Sequence, residues 1–153
     1  MIYKLDETDS NRYNAYRDFV KKTPNGVVTQ DPKWANVKSN WGRLFLYHLN
    51  DTDEIDAIMS ILFIEAVEGG TLAYASKGPL VADFSDVSLV DEFIKKAIEE
   101  LPENTFLIRM DPEVEYSDEL NKLYQDAGFV TRNTQFEHMH SNIQPRKNMI
   151  FSF

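Results

Sequence analysis

The sequence predicts one α+β domain built on a single mixed sheet, with elements in the order β-α-α-β-β-β-α-β-α-β-β. Three observations carry this reading. The chain has 153 residues, the length of one ordinary domain, and is 42% hydrophobic and 12% aromatic, enough to fill a core. Stretches with helical spacing of apolar residues alternate with short runs of strand length. Turn signals separate them, and no internal repeat, low-complexity tract or linker interrupts the series.

Residues 1–5, MIYKL, read as a short first strand. In DETDSNRYNAYRDFVKKTP, Asp6, Thr8, Asp9 and Ser10 are candidate caps for a helix whose apolar face is Tyr13, Tyr16, Phe19 and Val20. Pro24, Asn25 and Gly26 end it. A second, shorter helix is expected from Asp31-Pro32, because an Asp cap with Pro at the first helical position is a favoured start. Trp34, Val37, Lys38 and Trp41 then fall at i, i+3, i+4 and i+7 and would share one face. Gly42 closes that helix.

RLFLYHLN is a strand, Asn50 to Asp53 a turn, and EIDAIMSILFIEAVE a longer strand. Gly69-Gly70 turns it into TLAYAS, so strands two to four make an antiparallel meander. KGPLVADFSD is a loop. DVSLVDEFIKKAIEELPEN is a helix lined on one side by Leu89, Val90, Phe93, Ala97, Ile98 and Leu101. TFLIRMDPEV is a strand ended at Pro112. SDELNKLYQDAGFV is a helix capped by Ser117, with Glu119 as half of a capping box and Gly128 as its stop. Two strands finish the chain, around VTRNTQF and RKNMIFSF. This order is that of the GNAT acyltransferase fold, an association that speaks to architecture and not to chemistry.

Composition narrows the function classes. No apolar run approaches the roughly 20 residues that span a bilayer, so an integral membrane protein is not expected. The first residues carry no apolar signal stretch, which makes the cytoplasm the expected location. With no cysteine, disulfides, thiolate nucleophiles and cysteine-ligated metal are excluded. The formal charge of −9 disfavours DNA and other non-specific polyanion binding, so an anionic ligand needs a local positive site.

The acetyl-coenzyme A site usual in this fold is a Gly-rich turn whose amides cradle a pyrophosphate at a helix start. Here that stretch is SKGPLVADFSD, with one Gly and then a Pro that has no amide to donate, so no coenzyme A is expected. His138 and His140 would share a strand face, but no third ligand has suitable spacing and no metal site is expected. No Ser–His–Asp arrangement is readable. The informative cations are Lys38, Lys77 past the fourth strand, Arg109 inside an apolar strand and Arg146 entering the last strand. Each also has a plain reading: a solvated helix lysine for Lys38, loop charges for Lys77 and Arg146, and for Arg109 the outward-facing member of a strand alternation or an ion pair to Asp111.

Four blocks in order then resemble the FemABX family. FVKKTPNGVVTQDPKWANVKSNW matches its first block through Phe19, Pro24, Gly26, Gln30, Trp34, Ala35, Val37, Lys38 and Trp41. YASKGPLVADFSD matches through Tyr74, Lys77, Gly78, Pro79 and Asp83, and LIRMDPEV through Arg109, Asp111 and Pro112. The ending matches through Gly128, Phe129, Ile143, Gln144, Pro145 and Arg146. The family transfers an amino acid from aminoacyl-tRNA to the stem peptide of a peptidoglycan precursor, and its fold is two tandem GNAT-like domains. The resemblance therefore implies that residues 1–153 are one GNAT-like domain equivalent to the first of these.

By that resemblance Lys38 grips the diphosphate of a UDP-N-acetylmuramoyl-peptide or lipid-linked precursor, and Trp41 supports it. Tyr74, Lys77, Gly78 and Pro79 line the same cleft, and Asp83 falls near the acidic position proposed as a base. No cofactor is implied beyond aminoacyl-tRNA as co-substrate, which would need the second domain. The expectation is a precursor-binding domain incomplete for catalysis alone. Two alternatives stay open: a non-catalytic scaffold for another Fem protein, and a GNAT acetyltransferase.

Overall fold

In the computed structural model, residues 1–131 are described, and they form two compact units, Met1–Glu115 and a second beginning at Tyr116. The first unit carries a five-stranded sheet in the order β1-β2-β3-β4-β5. Its strands are β1 (Ile2–Lys4), β2 (Gly42–Leu49), β3 (Ile55–Val67), β4 (Gly70–Ala75) and β5 (Thr105–Met110). The first four pair antiparallel and β5 pairs parallel to β4, as a crossover through a helix requires. The expected meander is present, and Gly69 supplies the left-handed φ of +71° that its tight turn needs.

Helix α1 (Ser10–Lys22) is capped by Asp9, whose carboxylate accepts from the amides of Asn11 and Arg12. Tyr16 and Val20 are buried from it against Phe45, Tyr47, Ile58 and Leu80 on one face of the sheet, with Tyr13 and Phe19 half-buried beside them. The opposite face carries buried Leu44, Leu46, Met59, Ile61 and Ala73. There α2 (Val87–Glu100), capped by Asp86, packs against β1 and β2 with Val90, Phe93 and Ala97. Ile98, expected on that stripe, is 64% exposed. It lies one residue, about 100°, round the helix from Ala97, which turns it off the packed face.

The second expected helix takes another form. Val28–Gln30 and Pro32–Asn36 are 3₁₀ turns. Asp31 caps the latter by accepting from the Lys33 amide, with Pro32 in the first turn as expected. The bonds run Trp34 to Asp31, Val37 to Trp34, Lys38 to Ala35 and Trp41 to Lys38, all with a spacing of three. With three residues per turn, Lys38 and Trp41 share a row with Ala35, while Trp34 moves to another row with Val37. The single face expected from a 3.6-residue period is therefore split.

In the second unit, α3 (Asp118–Asp126) is capped by Ser117, which accepts from the Leu120 amide. Gly128 at φ +91° ends the turn after it, and Tyr124 meets Phe129 edge to face at 5.2 Å. The two last strands, with His138, His140, Ile143, Gln144, Pro145 and Arg146, lie outside the described residues.

Candidate functional site

The first cluster grows from the segment after α1. Arg17 donates its Nε hydrogen to both oxygens of Asp31 at 3.0 and 3.1 Å, which anchors the start of the Pro32–Asn36 turn to the helix. The run of three-spaced bonds then carries the chain to Lys38 and Trp41. Lys38 Nζ stands 5.9 Å from the centre of the Trp41 ring, within cation–π range. Lys38 is exposed and has no ion pair among the described residues. Beside it lies an open depression of about 390 Å³ lined by Ala35, Asn36, Ser39, Trp41, Gly42 and Arg43. Arg43 is occupied by Glu7 at 2.9 Å.

The second cluster sits where parallel β4 and β5 end together. The Tyr74 hydroxyl donates to Asp111 Oδ2 at 2.9 Å, and the Lys77 amide donates to Asp111 Oδ1 at 2.8 Å. Arg109, paired with Tyr74 across the strands, places its guanidinium 5.5 Å from the Tyr74 ring centre. The Lys77 ammonium lies 3.3 Å from Glu113. Lys77 itself holds φ +57°, a left-handed conformation uncommon for a side-chain-bearing residue. The following Gly78–Pro79 bond is cis, and both residues are buried.

Sequence reasoning named Tyr74, Lys77, Gly78 and Pro79 together, and the structure keeps them together. Pro79 is core and Gly78 faces a protein side chain, whereas Tyr74 and Lys77 are half-buried and engaged with Asp111 and Glu113. Asp83 stands in the loop before α2, where its carboxylate accepts from the amide and hydroxyl of Ser85 at 2.8 and 2.7 Å. Those bonds, the hydroxyl's first, hold its pKa below the usual carboxylate value. The N-terminus of α2 is taken by the Asp86 carboxylate, which receives the Leu89 amide.

Two motif residues serve other ends than the sequence indicates: Gln30 has no role read from it, and Asp111, expected beside Arg109, is bonded elsewhere. Asp111 joins Tyr74 to the Lys77 backbone. Gln30, fully buried, joins the first segment to the second loop: its Nε2 donates to the Ser76 carbonyl at 2.8 Å and the Ser60 carbonyl at 3.2 Å. Its Oε1 accepts from the Ser60 amide at 2.8 Å. The signal for both was polarity at a motif position, which does not distinguish a surface group from a buried one.

Among the described residues no set of three or more His, Cys, Asp or Glu side chains could hold a metal, and no helix is long and apolar enough to cross a membrane. His48 pairs instead with Asp56 at 2.6 Å.

Comparison with known proteins bears on this geometry. Residues 12–142 match the model of the FemAB family. The chain is 43% identical over 148 residues to the UDP-N-acetylmuramoylpentapeptide-lysine N(6)-alanyltransferase of Weissella viridescens, covering 95% of this chain and 44% of that one. It is 30% identical over 138 residues to a lipid II:glycine glycyltransferase of Staphylococcus epidermidis, covering 86% of this chain and 33% of that one. The chain thus spans less than half the length of these relatives. Among solved structures, FemX aligns with 82% of this chain and 31% of its own, at a TM-score of 0.67 and 26% identity. The aminoglycoside 6'-N-acetyltransferase AAC(6')-Ih of Acinetobacter baumannii aligns with 97% of this chain and 98% of its own, at 0.52 and 16% identity. The fold is accordingly the GNAT-like α+β arrangement that the order of elements suggested.

Proposed function

Because the chain belongs to the FemAB family, we propose that it forms the precursor-binding part of an aminoacyltransferase that adds an amino acid to the stem peptide of a peptidoglycan precursor. The observation that carries this reading is Lys38, an exposed ammonium held 5.9 Å over the Trp41 ring beside an open depression, in a chain of net charge −9. An ammonium backed by an aromatic face is less hydrated than a free one, so its attraction to a diphosphate strengthens. A lysine suits a diphosphate as a point-charge partner, and Trp41 offers an apolar wall beside it. Tyr74 and Lys77 form a second polar cluster at the ends of β4 and β5, where ligands collect in open α/β sheets, and in this reading they serve the same ligand.

Transfer would join the precursor's amino nitrogen to the carbonyl carbon of an aminoacyl ester. The ester C–O bond breaks, the ribose oxygen leaves as a hydroxyl by taking up a proton, and the attacking nitrogen gives one up. Asp83 is the candidate acceptor; its Ser85 bonds keep it ionised and weakly basic. In this reading the donor is aminoacyl-tRNA, whose binding by these residues alone is disfavoured by the net charge of −9. No coenzyme A enters this reaction: a pyrophosphate at the start of α2 would meet the carboxylates of Asp83 and Asp86. Substrate and product remain on the cytoplasmic side.

The test is calorimetric titration with UDP-N-acetylmuramoyl-pentapeptide. Saturable binding by the parent, lost in Lys38→Ala, supports the reading. Acetyl-coenzyme A bound in its place would assign the chain to the acetyltransferases. A second reading, a non-catalytic partner of another Fem protein, is favoured by Phe106 and Leu107, 58% and 47% exposed on β5. It expects a stable heterodimer and no affinity for either small ligand.

A further inference from the structure

The β3–β4 ladder has a gap. Pairing runs as far as Leu62 with Tyr74, then resumes only at the isolated bridge of Ile58 with Leu80. Between them the Ser76–Pro79 stretch leaves the sheet, and Ser60 on β3 faces no strand on that side. The Gln30 carboxamide stands in the gap. It accepts from the Ser60 amide and donates to the Ser60 carbonyl, as a neighbouring peptide group would, and donates to the Ser76 carbonyl as well. Thr29 Oγ1 adds a second bond to the same Ser76 carbonyl at 2.9 Å. A Cβ on Gly78 would collide with this carboxamide, so glycine at that position and glutamine at position 30 are mutually fitted.

The connection continues toward Lys38. Asp31 follows Gln30 directly, is clamped by Arg17, and starts the three-spaced bonds that end at Trp41. The loop carrying Lys77 and the segment carrying Lys38 are therefore fastened to one buried side chain. We propose that Gln30 is a positioning residue that fixes the Ser76–Pro79 loop against the Lys38 segment and thereby sets affinity for the precursor, an inference that rests on the function proposed above. It touches no ligand; it acts through the two segments that do.

The test uses the full chain and Gln30→Leu, which keeps bulk but removes the three bonds. Gly78→Ala is made alone and together with Gln30→Ala. Val90→Ala, on the opposite face of the sheet, controls for general loss of stability. Amide hydrogen exchange is followed at Ser60, Lys77 and Gly78. Affinity for UDP-N-acetylmuramoyl-pentapeptide is measured at a temperature where every variant is folded. In Gln30→Leu, exchange at these amides quickens and affinity falls about tenfold, the scale of one buried hydrogen bond expressed as binding. Val90→Ala leaves affinity unchanged. Gly78→Ala weakens binding in the parent and adds little once Gln30 is Ala.

Three results overturn the proposal: unchanged exchange at Lys77 and Gly78 in folded Gln30→Leu; quickened exchange with parent affinity; or an equal effect of Gly78→Ala in both backgrounds. The last comparison decides the matter if Gln30→Leu does not fold. A parent that binds no precursor fails the functional reading instead, and is distinguished by that.

Discussion

Lys77 stands at φ +57°, where a side chain crowds the backbone, and its amide is tied to Asp111 at 2.8 Å. Its ion pair with Glu113 is partly exposed and adds little. Lys77→Gly is therefore expected to keep stability or raise it by up to about 1 kcal/mol, whereas Lys77→Val should lose about 1–3 kcal/mol. Denaturant midpoints decide this; equal losses in both variants would show that the ammonium, not the backbone, holds the loop. The residue scale is where sequence reading reached least far. Lys77 was visible as a charge after a strand, but its backbone conformation was not. Gln30 was visible as a motif position between Thr29 and Asp31. Its burial depends on Ser60 and Ser76, some 30 and 46 positions away, which no local pattern brings near.

At the scale of elements, local chemistry was informative where one structure alone fits the pattern. The Gly69-Gly70 turn, the Ser117 start and the Val90–Phe93–Ala97 stripe were all legible, because caps and turns follow from neighbouring residues. The Pro32–Asn36 turn was not. The spacing of Trp34, Val37, Lys38 and Trp41 reads as an α-helical face, but over so short a stretch the chain closes three-spaced bonds instead, and only the bonding pattern reveals this. The attachment of α2 to β1 gives a test with a definite sign. Glu100 receives hydrogen bonds from Lys96 and Lys4, in that order of effect, and its pKa is held below the usual carboxylate value. A lowered folded pKa gives stability that is present above the ordinary Glu value of about 4.3 and lost as pH falls through the lowered one. Urea midpoints should fall more steeply with acidification in the parent than in Glu100→Gln across that window. Identical slopes would show that these bonds, one within α2 and one from Lys4 of β1, add nothing to stability.

For the molecule as a whole, the sequence disclosed the antiparallel meander within one mixed sheet, whereas the places of β1 beside β2 and of β5 beside β4 follow from the structure. The charge of −9 adds a consequence for binding. A UDP-linked precursor is an anion approaching an acidic body, so long-range repulsion opposes it while Lys38 attracts at contact. Salt screens the long-range part first. The association rate is thus expected to rise between about 10 mM and about 150 mM salt. Stopped-flow rates that fall over this range would instead indicate steering by a basic surface. The central claim, that Lys38 on Trp41 receives the precursor, has a more direct test, because the chain contains two tryptophans. In Trp34→Phe the remaining indole is Trp41. Titration of this variant with UDP-N-acetylmuramoyl-pentapeptide is expected to change Trp41 fluorescence saturably, and the change should vanish when Lys38→Ala is added. A Trp41 signal that stays constant, or that changes equally without Lys38, would contradict the assignment.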